Sequence, residues 1–169
     1  LLYADVPLLQ TTTLARLIEH HRAAKASATV LTIDLPDPYG YGRIVRDAGG
    51  RIQRIVEERD ASPAERQIRE VNSGIYAFDL APLFPALRAL HSGNAQGEYY
   101  LPDLVRDYRR QRRVVESVTV ERADEVRGIN SRTELAEVSR IVRQTKNEEL
   151  MAAGVTLDDL DLVETHDCF

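Results

Sequence analysis

The sequence predicts an α/β fold: a doubly wound, mixed but mainly parallel sheet of the Rossmann-like kind, incomplete at its amino end. Three observations carry this. Short β-branched runs alternate with amphipathic helical stretches, as strands do when crossover helices connect them. Two short strand patterns flank Gly49-Gly50, which announces an inserted hairpin. The chain also opens on Leu-Leu-Tyr-Ala-Asp-Val-Pro, which reads as a buried central strand meeting its loop at Asp5 and Pro7. That opening implies at least one further strand-and-helix unit upstream.

The elements follow in order. Residues 11–25 place Leu14, Leu17, Ile18 and His21 on one helical face, with threonines available as the N-cap. Residues 28–33 are β-branched and read as the next parallel strand, followed by a loop of turn formers over 34–42. Residues 43–46 and 52–56 form the hairpin. Ser62-Pro63-Ala64-Glu65 is a capping box with proline at the first helical position, and starts a short helix. A strand over 71–80, helices over 82–90 and 101–111, and a β-branched strand over 114–120 complete the sheet region. A second capping box, Ser131-Arg132-Thr133-Glu134, opens a long helix to about 153, with Leu135, Val138, Ile141 and Val142 on one side. The organisation expected is one domain over 1–130, a linker helix over 131–153, and a divergent junction over 154–169.

Composition bounds the function. The 169 residues are 43% apolar and 29% charged, enough for one core of ordinary size. A net charge of −5 argues against nucleic acid or an anionic membrane as the partner, since both call for a basic footprint. The local exception is the segment 106–113, where Arg106, Arg109, Arg110, Arg112 and Arg113 end a helix and suit the negative end of its dipole. No apolar run approaches the roughly 20 residues of a membrane span, and no signal-peptide pattern opens the sequence. The single Cys168 excludes an internal disulfide framework and a thiolate cluster, and fits a reducing cytoplasm. His20, His21, His91 and His166 have no metal-ligand spacing, and no serine or cysteine has a nucleophile's context.

Several polar residues stand where packing alone does not call for them. Asp5, at the carboxyl end of the expected first strand, can hold a hard cation or cap a turn. Gly40-Tyr41-Gly42 allows close backbone approach to a ligand, or a plain turn. Glu57 and Glu58 end an apolar strand, as acids at a solvated strand end do. Asn72 lies inside a strand pattern that disfavours asparagine. Either its amide has a task or Asn72-Ser73-Gly74 forms a bulge. Asn130 precedes the last helix, where a turn residue is expected.

Read in order, these segments form a set: Leu2-Tyr3-Ala4-Asp5-Val6-Pro7-Leu8, Asp37 to Ile44 around Gly40-Tyr41-Gly42, Ile55-Val56-Glu57-Glu58, Glu70-Val71-Asn72-Ser73-Gly74, Asn94-Ala95-Gln96-Gly97-Glu98-Tyr99-Tyr100, and Gly128-Ile129-Asn130. The set closely resembles the uridylyltransferase domain of the bifunctional bacterial enzymes that make UDP-N-acetylglucosamine. It covers about residues 1–154. The resemblance implies a nucleotidyltransferase fold and transfer of UMP from UTP to N-acetylglucosamine 1-phosphate, giving UDP-N-acetylglucosamine and pyrophosphate for peptidoglycan and lipopolysaccharide precursors in the bacterial cytoplasm. It implies that Asp5 and Asn130 bind Mg²⁺. It further implies that Tyr3, Ala4, Gly42, Glu57, Asn72 and Asn130 contact the nucleotide-sugar, and that Glu98 and Tyr100 shape the pocket for the N-acetyl group.

The sequence departs from the family in three places. The glycine-rich loop that holds the triphosphate belongs upstream, so the chain by itself is expected to be inactive or nearly so. Ala4 stands where the family usually has glycine. After Gly154 the hexapeptide pattern of a left-handed β-helix, which in the family transfers acetyl groups and builds a homotrimer, does not develop. Two other readings remain: a nucleotidyltransferase for another sugar, such as glucose 1-phosphate with UTP or dTTP, and a non-catalytic nucleotide-sugar binding module.

Overall fold

A computed structural model of the chain describes residues 1–93, 96–129 and 131–155. In chain order the elements are α1 (Thr11–Ala23), β1 (Ala28–Asp34), β2 (Arg43–Arg46), β3 (Ile52–Val56), a 3-10 turn at Glu65–Gln67, β4 (Glu70–Phe78), α2 (Leu80–Arg88), α3 (Asp103–Arg110), β5 (Val115–Val120), a 3-10 turn at Ala123–Val126 and α4 (Arg132–Ala152). They fall into two compact units, Leu1–Arg127 and Gly128–Phe169.

In the first unit, β1 has no polar alternation, so both of its faces must be covered. It lies inside a mixed sheet of order β3-β2-β4-β1-β5. Ala28 and Val30 point into one apolar cluster with Tyr76, Leu104, Val105 and Tyr108. Leu31 and Ile33 point into another with Leu17, Val71, Ile75 and Val118. α3, with α2 beside it, therefore covers one face of the sheet and α1 the other, which is the α/β layering the sequence predicts. The β1–β5 ladder is parallel, running from Ala28↔Val115 to Ile33↔Val120. The β1–β4, β2–β3 and β2–β4 ladders are antiparallel, so the described sheet is mixed, as expected, but not mainly parallel.

Several local signals are realised as read. The hairpin strands occupy the expected residues, with Arg43 opposite Val56 and Ile44 opposite Ile55. Its turn is held by Asp47, whose carboxylate accepts from the backbone N–H groups of Gly49 and Arg51. Ser62 and Glu65 exchange capping bonds at 2.8 and 3.3 Å, although they open only a three-residue 3-10 turn. In the second unit, the Ser131 hydroxyl accepts from the Glu134 N–H at the start of α4. Along that helix, Leu135 and Val142 are about half exposed.

Two expectations are corrected. The opening segment is not a strand. Leu1 exchanges backbone hydrogen bonds with Tyr76 of β4, at 2.8 and 3.2 Å, and the chain then turns at Ala4-Asp5 and again after Pro7. An apolar run becomes a strand only where a neighbour offers a continuous ladder, and here the pairing is one residue long. Leu1, Leu2 and Tyr3 accordingly stay about half exposed. In α1 the N-cap is Gln10, with no side-chain capping bond. Thr13 lies inside the first turn and donates its hydroxyl to the buried Glu125 carboxylate at 2.5 Å. On the expected apolar face Leu17 is buried, while Ile18 is 43% exposed.

Asn72 does adjoin a bulge, which leaves its amide's role open to the site described below. Val30 pairs with Tyr76 and Thr32 with Asn72, so Ser73, Gly74 and Ile75 stand opposite Leu31 alone. Gly74 has φ +80°, a region that other residues enter only under strain. Side chains replace the missing ladder: Ser73 Oγ donates to the Leu31 carbonyl at 2.7 Å and accepts from Ile75 N–H at 3.2 Å. Ser73→Ala therefore leaves two partly buried backbone groups unpaired. It is expected to lower the unfolding free energy by about 1–3 kcal/mol, read as a shift of the urea midpoint at unchanged slope. An unshifted midpoint would show that the hydroxyl does not hold the bulge.

Candidate functional site

The site is built around the entry to the hairpin. Arg43, at the first position of β2, is 2% exposed. A buried guanidinium must be paired. Its Nη2 donates to Glu58 Oε2 at 2.6 Å, and its Nη1 donates to the Tyr41 carbonyl. Glu58 also accepts from the Gly40 N–H at 3.3 Å and lies 3.4 Å from Arg66. The hydrogen bond from Arg43 holds the Glu58 carboxyl below the usual carboxylate range, with Gly40 and Arg66 adding to the effect. This clamp fixes the loop carrying Gly40 and Gly42. The bland expectation of a solvated Glu58 is thus corrected: it is the counter-ion of a buried arginine.

Gly42 sits against Glu57. A Cβ at Gly42 would stand 2.9 Å from Glu57 Oε1, so the missing side chain is the space the carboxylate occupies. The Gly42 carbonyl accepts from the Asn72 N–H at 2.8 Å, and the Asn72 side-chain oxygen accepts from the Gly74 N–H at 2.9 Å. Tyr3 lies against the same bulge, its ring within 2.4 Å of where a Gly74 Cβ would be. Tyr3, Asn72, Gly42 and Glu57 therefore follow one another from contact to contact.

Glu57 is half-buried and opens on a cleft of about 240 Å³ whose wall includes Arg54, Asp60, Tyr100, Asp103 and Arg106. Burial pushes the Glu57 carboxyl up, and the negative charges of Asp60 and Asp103 push the same way, against the pull of Arg43. Tyr100 accepts a hydrogen bond from Gln96 Nε2 at 2.7 Å. Its hydroxyl is pushed up first by burial, then by the charges of Asp60, Glu57 and Glu98, with Gln96 opposing. It stays a protonated donor, and Glu98 is near enough to act on it.

The sequence-predicted residues thus divide. Glu57, Gly42, Asn72, Tyr3, Tyr100 and Glu98 are linked through contacts or mutual charge. Asp5 stands exposed in the Ala4-Asp5 turn and makes no hydrogen bond to another described residue. Asn130, like Asn94, Ala95 and residues 156–169, lies outside the described residues. Among the described residues, no group of three or more His, Cys, Asp or Glu side chains is gathered as for a metal. Asp60, Asp103, Arg54 and the clamp Arg43 were not singled out from the sequence, and Arg106 was read there only as part of a cationic helix end. The one available signal was Arg43 itself, a charge at an inward position of a strand.

Similarity to known proteins identifies the family of the chain. A family profile described as nucleotidyl transferase matches residues 2–122. The chain is 51% identical over 158 residues to the bifunctional protein GlmU of Pelotomaculum thermopropionicum, covering 94% of this chain and 35% of that protein. It is 50% identical over 161 residues to bifunctional protein GlmU of Trichlorobacter lovleyi, covering 95% and 35%. With bifunctional protein GlmU of Syntrophotalea carbinolica the identity is 49% over 159 residues, covering 94% and 34%. The chain spans about a third of the length of these curated relatives.

The environment of Glu57 gives a pH signature. Its folded-state pKa lies above the ordinary value of 4.5, so the native state binds the proton more tightly than the unfolded chain does. Its stabilising contribution is complete below about pH 4.5 and is lost as pH rises through the folded-state value. Glu57→Gln, always neutral, should melt above the parent at pH 7, and the gap should close toward pH 4. Parallel melting curves across that range would remove burial as the cause.

Proposed function

This chain belongs to the nucleotidyl transferase family, and we propose that it supplies the sugar-recognition side of a transfer of UMP from UTP to N-acetylglucosamine 1-phosphate. The observation that carries the reading is Glu57, half-buried beside Gly42 and facing Tyr100 across one cleft. Paired polar groups held away from water are what a sugar's hydroxyls need, and they penalise a sugar that leaves them unpaired. In this reading Glu57 accepts from a hydroxyl, Asn72 donates its amide hydrogens, and Tyr100 with Glu98 borders the N-acetyl group. Tyr3 and Ala4 lie along the nucleotide-sugar.

The chemistry needs no protein nucleophile. An oxygen of the sugar phosphate attacks the α-phosphorus of UTP, a new phosphorus–oxygen bond forms, and the bond to the β-phosphate oxygen breaks, so that pyrophosphate leaves. The protein's part is to fix the sugar so that its phosphate meets the α-phosphate in line. The single exposed carboxylate of Asp5 suits a hard cation that keeps few protein ligands, and Mg²⁺ there would neutralise phosphate charge. The family resemblance adds Asn130 as a ligand. The reaction would belong to bacterial cell-envelope precursor synthesis in the cytoplasm.

Titrating the chain with UDP-N-acetylglucosamine and with UDP-glucose, followed by saturation-transfer NMR, tests the sugar. The N-acetyl compound should bind roughly tenfold or more tightly, Tyr100→Phe should narrow the difference, and Glu57→Gln should weaken both. Equal affinity for the two would move the reading to a glucose 1-phosphate enzyme.

A further inference from the structure

Tyr76 is 3% exposed, yet its hydroxyl oxygen completes no hydrogen bond among the described residues. A buried hydroxyl left in that state costs free energy, and its persistence calls for a reason. The register of β4 supplies one. Val30 of β1 pairs with Tyr76, and Thr32 pairs with Asn72. Residues two apart on β1 point to one face, so Asn72 and Tyr76 project side by side from the same face of the sheet, with the bulge between them.

Tyr76 is the more rigid of the pair. Its backbone N–H and carbonyl are both engaged by Leu1, at 3.2 and 2.8 Å. Its ring stacks on Phe78, with centroids 5.2 Å apart and 15° between the planes. Asn72 is only partly buried, and its Oδ1 accepts from the Gly74 N–H at 2.9 Å. That bond decides which end of the amide is oxygen, and it leaves the two hydrogens on nitrogen to find acceptors. The last torsion of an asparagine is soft, so a small rotation carries the nitrogen toward a neighbour. Burial pushes the Tyr76 hydroxyl up; the Asn72 side chain is near enough to pull it back, and the charges of Glu57 and Tyr3 add to the rise.

We propose that Tyr76 is a positioning residue: its hydroxyl accepts a hydrogen bond from the Asn72 amide nitrogen and so aims the second amide hydrogen outward, at an oxygen of the bound sugar. This rests on the sugar reading given above for Asn72. Tyr76 itself does not touch the sugar. It acts by fixing the angle of the amide, and a donor held in place beforehand loses less freedom when the ligand arrives.

The test is Tyr76→Phe in the full chain, with Tyr108→Phe as control. Tyr108 is buried in the same apolar cluster, and its hydroxyl likewise has no partner among the described residues. In ¹⁵N spectra of the free chain, the Asn72 side-chain amide signals should shift and become more mobile in Tyr76→Phe, and stay in place in Tyr108→Phe. Binding of UDP-N-acetylglucosamine should weaken roughly fivefold in Tyr76→Phe, the size of one lost hydrogen bond, and be unchanged in Tyr108→Phe. Unmoved Asn72 signals in Tyr76→Phe, equal movement in the control, or undiminished affinity would overturn the positioning role. Absence of binding by the parent chain would sink the sugar reading instead, and the Asn72 signals of the free chain would still decide the contact.

Discussion

Opposite the single residue Leu31, β4 places three: Ser73, Gly74 and Ile75. The surplus is two residues, and that number matters. Side chains in a strand alternate with period two, so one extra residue would send every following side chain to the other face, whereas two preserve the alternation. Val71 and Ile75 consequently stay in the cluster under α1, while Tyr76 stays in the cluster under α3. Asn72 keeps to the Tyr76 face while its N–H reaches out to Gly42. The bulge thus lets β4 serve two neighbours: β1 along most of its length, and the hairpin entry at Asn72. Without it the loop carrying Gly42 would lose its anchor to the sheet.

The second constraint is electrostatic. Burying Arg43 obliges the structure to supply a counter-charge, and Glu58 meets it, drawn below its ordinary pKa in the process. Its neighbour Glu57 is left to the opposite fate. It is desolvated, faces Asp60 and Asp103, and is pushed upward. Two adjacent glutamates of one short segment therefore behave as different reagents. One is the counter-ion of a buried arginine, and the other is a half-buried carboxyl beside two further acids. Arg43 is what separates them, because it satisfies one carboxylate and only mildly steadies the other.

What was legible in the sequence was local. The hairpin strands were readable because alternation and a glycine turn are written within about a dozen residues, and the capping bonds at Ser62 and Ser131 span three. The opening strand was misread for the converse reason: an apolar run specifies burial, but a ladder needs a partner, and Leu1 alone has one. The α1 cap failed similarly, since Thr13 was drawn to Glu125, 112 residues away. Within the site, Gly42, Glu57 and Asn72 could be singled out through an ordered set of motifs. That a Gly42 side chain would collide with Glu57 could not be, nor that Asp60, Asp103 and Arg106 would share the cleft. Those facts arise when α3 packs on the hairpin, and no periodicity records them.

Charge also divides the surface between kinds of ligand. Glu57, Asp60 and Asp103 make one cleft rich in carboxylates, with Glu98 close by, tempered by Arg54 and Arg106 along its wall. A phosphate would be repelled there, whereas neutral hydroxyls find acceptors and the Tyr100 donor. In the proposed reading a sugar phosphate would turn its hydroxyls toward this cleft and its phosphate away from the acids. The neighbouring cleft is lined by four guanidiniums, each already beside a carboxylate: Arg54 by Glu65, Arg106 by Asp103, Arg109 by Asp47 and Arg110 by Asp107.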